Sequence, residues 1–374
     1  MCNAGIVSVR KRPEMALAQG GAHMKLKTIS IAIALGALSL ASAAAAPAPY
    51  KTPRNAFGQP DLQGNWTNAT ITPFERDKKF GDRLALTPAE VKDLEGANAQ
   101  LVADGNKPTD PNAKVTDLPQ NCGRGFVGVD CGYNSAWVDP GTKIINLGGV
   151  ERSSIIVSPT DGRLPAMTKD AAARMQARIA SLRGARASFE NPENRSLGER
   201  CILSFGSSAG PPMLPLLYNN NYQIVQTKDE VVIEVEMVHD LRHIHLSGGH
   251  PPGSVKLWMG DSLGHWEGDT LVVETTNMRP EQNFRGASLG SKIMERFTRV
   301  GPNQIKYSFT VDDPQIYTAS YTGEVALNST KGPLYEYACH EGNYALPGIL
   351  AGARTEEKEA QAATKSAARP SGAR

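Results

Sequence analysis

In QIKYSFTV (residues 304–311) apolar and polar side chains alternate without a break. Ile305, Tyr307, Phe309 and Val311 share one face, and Lys306, Ser308 and Thr310 the other. Period two marks a half-buried strand, because a helix would scatter these apolar groups around its axis. The run has company on both sides. YQIVQTKDEVVIEVEMV (222–238) reads as two strands separated by Lys228-Asp229, followed by SVKLWM (254–259), DTLVVETTN (269–277) and KIMERFTRV (292–300). SYTGEVAL (320–327) and LYEYAC (334–339) complete the series. Trp266-Glu267-Gly268-Asp269 and Gly301-Pro302-Asn303 read as tight turns, and Asp312-Asp313-Pro314 ends a strand, since proline cannot continue an interior ladder.

About six to eight strands in succession predict a meander that closes into a barrel or folds into a sandwich. The chain ahead of them is different. Residues 44–217 read as an irregular half with two helices. Thr87-Pro88-Ala89-Glu90 combines a cap, a first-turn proline and a glutamate that reaches back to the cap, so a helix is expected over 88–102. A second helix is expected from Thr168 to Gly184, with Met175, Ile179 and Leu182 on its packing face. IINLG (144–148) and SIIVS (154–158) read as short strands between them. The predicted fold class is therefore α+β, mainly β: a C-terminal antiparallel barrel, lipocalin-like or sandwich, over 218–350, packed as one domain with the N-terminal half. Residues 351–374, rich in Ala, Lys, Glu and Ser, read as a flexible tail or a frayed helix.

Residues 1–43 read as a leader. From Met24, Lys25 and Lys27 precede an apolar run, and Ala41-Ser42-Ala43 offers a cleavage site. The run is about 12 residues, short of the roughly 20 that a membrane span needs. The expectation is a periplasmic or secreted bacterial protein that starts near Ala44, with no membrane span once mature. The leader holds five bases (Arg10, Lys11, Arg12, Lys25, Lys27) and one acid (Glu14), so its loss takes the formal charge from +2 to −2. That balance gives no global basic excess for nucleic acid. Cleavage also removes Cys2, leaving Cys122, Cys131, Cys201 and Cys339. An even number in an oxidising compartment favours two disulfides; a local Cys122–Cys131 bridge is the simplest choice, which pairs Cys201 with Cys339. The competing reading is zinc, but the spacing fits no compact metal motif.

The segments MGDSLGHWEGDTLVVETTN (259–277), ERFTRV (295–300) and YEYACHEGNY (335–344) resemble a family of secreted bacterial proteins of uncharacterised activity. The resemblance implies export and a shared β-rich fold, and carries over no catalytic residue. At the positions of His243 and His245 that family more often has apolar residues or proline.

Candidate chemistry falls in three places. Five histidines crowd into residues 239–265: His239, His243, His245, His250 and His265. On an extended strand His239, His243 and His245 would share one face, so His243 and His245 are a weak candidate pair for a divalent metal; the main expectation is no cofactor. The opposite face carries Asp240 and Arg242, with Glu234 and Glu236 ahead of them; Glu274 and Glu295 interrupt other apolar strands. Buried carboxylates suit proton transfer, and an arginine suits an oxyanion. CHEGNY (339–344) adds His340, Glu341 and Tyr344 beside a disulfide cysteine.

Nucleophile elbows, phosphate-binding loops, dinucleotide fingerprints and H-E-x-x-H are all missing from the sequence. The expectation is a cofactor-independent acid–base enzyme, a lyase, isomerase or hydrolase, acting on a small to medium organic molecule. Arg242, Glu295, His340 and Glu341 are its expected catalytic groups; Asn277, Tyr344, His239 and Asp240 are expected to bind substrate. The alternatives are a lipocalin-type ligand-binding protein without turnover, and an envelope structural or interaction protein with a solid core.

Overall fold

The computed structural model describes residues 50–106, 112, 114, 140–183, 187–204, 210–279 and 290–367. The leader and the expected Cys122–Cys131 bridge lie outside these residues. The chain is mainly β, and its long strands close into a barrel as the alternation predicts.

The strands are β1 (Gly64–Thr67), β2 (Asn146–Leu147), β3 (Val150–Glu151), β4 (Ile156–Ser158), β5 (Asn221–Gln226) and β6 (Glu230–Val235). They continue with β7 (Asp240–His245), β8 (Asp261–Glu267), β9 (Thr270–Thr276), β10 (Lys292–Gly301), β11 (Gln304–Asp312) and β12 (Tyr321–Ser329). The barrel order is β1-β5-β6-β7-β8-β9-β10-β11-β12, and β12 pairs back to β1 through Trp66↔Ser329 and Thr67↔Asn328. β4 adds to the other end of β12, while β2 and β3 form a separate small hairpin.

Two details depart from a simple C-terminal meander. β1 comes from the N-terminal half, so the barrel is not confined to 218–350. β7 and β8 run parallel, with Ile244↔Ser262 in register, while all other neighbours are antiparallel. A parallel step needs a long crossover, which residues 246–260 supply. SVKLWM lies within that crossover and forms no strand beyond a bridge from Leu257 to Met278. LYEYAC likewise forms no strand. Both alternate in sequence, but a closed barrel leaves them no edge to pair with.

The barrel lumen is filled. Trp66, Tyr222, Phe297, Tyr307, Phe309 and Tyr321 point inward and are buried almost completely. Phe297 stacks 4.9 Å from Tyr307, and Tyr307 5.8 Å from Phe309. Such residues pack a small barrel to its axis. Gly323 faces Phe309 in register; an added Cβ there would drive into the Phe309 ring.

The helices sit outside. α1 (Pro88–Gly105) starts with the expected capping box, in which Thr87 accepts the Glu90 N–H and Glu90 accepts the Thr87 N–H. α2 (Lys169–Arg183) begins where expected, with Thr168 accepting the Ala171 N–H. Its expected packing stripe is only partly used: Ala171 is buried and Met175 half-buried, but Ile179 is exposed. A short α3 (Ala187–Glu190) lies against α4 (Ala345–Ala367), which follows the last barrel strand. α4 runs through the segment expected to be a tail, because its alanine, glutamate and lysine favour helix even with little packing. Among the described residues no helix is long and apolar enough to cross a membrane.

Candidate functional site

Strand alternation carries Asp240, Arg242 and Ile244 into the barrel and leaves Leu241, His243 and His245 outside. Arg242 meets Glu295 of β10 in the lumen, and both are buried. Its Nη1–H donates to Glu295 Oε1 at 2.8 Å, and its Nη2–H donates to Oε2. The guanidinium also donates to Ser262 Oγ at 3.1 and 3.2 Å and to Thr275 Oγ1 at 2.9 Å. Tyr307 completes the group by donating to Glu295 Oε1 at 2.7 Å, and its oxygen accepts the Met213 N–H at 2.9 Å. Burial, reinforced by the Glu295 charge, holds the Tyr307 phenol protonated well above its usual range. Burial alone would lower the Arg242 pKa, but Glu295 outweighs it and raises it.

This network is a fully partnered ion pair inside a filled lumen. It brings Arg242 and Glu295 together, without His340 or Glu341, and surrounds them with Ser262, Thr275 and Tyr307, which lie outside the expected site. Thr275 and Tyr307 lie on the inward parity of strands visible in the sequence, whereas Ser262 lies on β8, which no apolar alternation marks.

The other candidates lie elsewhere. His340 and Glu341 are exposed, and Tyr344 is 83% exposed, on the turn ahead of α4. His239 does not share the strand with His243 and His245. It ends the 3-10 turn Met237–His239, and its Nε2 accepts the Tyr337 N–H at 2.7 Å. Asn277 fastens the crossover: its Nδ2–H donates to Pro251 O at 3.1 Å, and its Oδ1 accepts from Lys256 at 3.4 Å. Glu234 faces outward on β6, and Glu236 is buried, accepting from Asn221 and from the Tyr335 N–H.

His243 sits 2.7 Å and His245 3.7 Å from Glu230 Oε1 on the outer face. His250 contacts Asp261 through Nδ1, and its Nε2 lies 3.4 Å from Glu274, which Lys292 also pairs at 2.8 Å. Among the described residues no group of three or more His, Cys, Asp or Glu is arranged to hold a metal ion.

Asp240 is different. It stands at the first position of β7, opposite Val235 at the last position of β6, so it lies at the barrel rim. Its Oδ2 is buried without a hydrogen-bond partner. Burial pushes its pKa up to about 7. The turn ahead of it is strained: Val238 has φ 66° and His239 φ 54°, a left-handed backbone that β-branched residues rarely adopt. Strained turns of this kind concentrate at functional sites.

Beyond the rim, Cys201 and Cys339 are joined, with an S–S distance of 2.02 Å. The bridge walls a cavity of about 430 Å³ between residues 198–201, the turn 337–343 and the first turns of α4. No family model, curated protein or solved structure matches the chain.

Proposed function

We propose that the chain is an exported enzyme that moves a proton on a small organic molecule at the barrel rim, without a cofactor, using Asp240 as its acid–base group. The observation that carries this reading is the buried Asp240 Oδ2 with no partner. A buried carboxyl oxygen without a donor is costly unless something else hydrogen-bonds to it, and a substrate O–H, N–H or acidic C–H answers that need. A carboxyl that titrates near neutrality is matched to accepting and returning a proton there. Arg242, two residues on, is committed to Glu295 and holds β7 against β10 from below the rim.

A carrier of lipocalin type keeps its ligand in the lumen, where this chain has aromatic side chains; that favours the rim. The test is a turnover screen of the mature protein over small lactones, esters and enolisable ketones, followed by NMR. Asp240→Asn is expected to lower the rate roughly 100-fold or more, the ordinary worth of a positioned acid–base group. His340→Ala is expected to keep it. Full activity in Asp240→Asn, or no turnover across the panel, would sink the reading.

A further inference from the structure

We infer that the cavity beside the Cys201–Cys339 bridge is a binding site for a small, neutral, largely apolar molecule. The inference goes beyond the Asp240 reading, because Asp240 is not on the cavity wall. It is an open cleft of about 430 Å³, a volume in the range of clefts that take small organic ligands.

Wall chemistry decides the ligand class. Tyr337, Ala345, Leu346 and Ile349 offer ring and hydrocarbon surface. Of the polar side chains on the wall, Glu199 and Asn343 are already occupied within it, and Tyr337 adds one phenol hydroxyl. Glu199 accepts from Arg195, and from both the N–H and hydroxyl of Ser196 at 2.9 Å. Burial opposes its ionisation, but those donors outweigh burial and hold its pKa below the usual carboxylate range. Asn343 donates to Glu199 O at 2.8 Å and to Cys201 Sγ at 3.4 Å, and its Oδ1 accepts the Leu346 N–H at 3.2 Å. A charged ligand would enter without a counterpart, whereas an apolar one loses nothing by leaving water.

The wall is also built in advance. The disulfide joins positions 138 residues apart, Asn343 bridges the same two segments, and Cys201 itself sits at φ 55°. A wall fixed before the ligand arrives avoids the ordering cost of binding.

The experiment uses the mature, oxidised protein and the neutral fluorophore N-phenyl-1-naphthylamine. Saturable binding at one site is expected, with slowed hydrogen exchange over residues 335–349. Leu346→Trp and Ile349→Trp, which fill the cavity, should each weaken binding at least tenfold without lowering the thermal transition. Absence of saturable binding, exchange protection elsewhere, or undiminished binding in both folded variants would overturn the inference. If either variant unfolds, the exchange map of the unaltered protein decides. Failure here would leave the Asp240 reading untouched.

Discussion

Arg242 and Glu295 face each other inside the barrel although β8 and β9 separate their strands. The pair is bidentate: Nη1–H donates to Glu295 Oε1 and Nη2–H to Oε2. Removing one partner of such a pair leaves a buried charge uncompensated. Glu295→Ala is therefore expected to lose about 3–5 kcal/mol, read by urea denaturation. The double change Arg242→Met, Glu295→Leu should lose clearly less than the two single changes added together. Additive losses would mean the two side chains are not coupled.

Asp240 makes a pH prediction whose sign is opposite to that of a salt-bridged carboxylate. Burial raises its folded pKa from 3.8 to about 7. Between these values the unfolded chain has released the proton and the folded chain has kept it. The folded state binds more protons there, so stability falls as pH rises through that window. Screening at the partly open rim limits the loss to roughly 1–2 kcal/mol. Asp240→Asn should remove this part of the slope, so the variant gains on the parent protein between about pH 4 and pH 7. An unchanged difference across that range would show that Asp240 titrates normally.

The Cys201–Cys339 bridge closes a loop of 138 residues. The chain-entropy relation assigns such a loop about 5 kcal/mol at 25 °C before native-state strain, within the usual spread of about 2–5 for native bridges. Replacing both cysteines by serine should lower the thermal transition and release the 335–349 segment first, measured by hydrogen exchange. A variant with parental stability would place the bridge outside the cooperative fold.

Gly323 and Phe309 set a packing limit. Gly323→Ala pushes a methyl group into the Phe309 ring, and overpacking of that kind costs about 1–3 kcal/mol. Phe309→Leu, added to it, should restore part of the loss. If Gly323→Ala is neutral, the ring has room to move that its burial does not reveal.

The long hairpins were legible because one face of each packs on the core and the other meets solvent, which forces period two. β8 was not. Its inward residues are Ser262 and Gly264, one serving Arg242 and the other leaving space for Ile244, so no apolar alternation marks it. β1 was hidden for another reason: four residues, GNWT, are too few to show a period. The Arg242–Glu295 meeting was foreseeable from inward parity, but its closure by Ser262, Thr275 and Tyr307 required the register between strands. His340 was misplaced because a disulfide fixes the backbone next to it without fixing where an adjacent side chain points.

The smallest strand of the barrel has the largest consequence for how the chain is made. β1 is the single piece that joins β5 to β12, and its partners Ser329 and Asn328 lie more than 250 residues away in sequence. Hairpins such as β8–β9 and β10–β11 form from neighbours, whereas this closure must wait for loop entropy on the scale of the whole molecule. Until it happens, β5 and β12 each present a row of unpaired amides and carbonyls, open to any other strand that passes. The period in which the nascent protein most needs protection from its own kind therefore ends when Trp66 arrives.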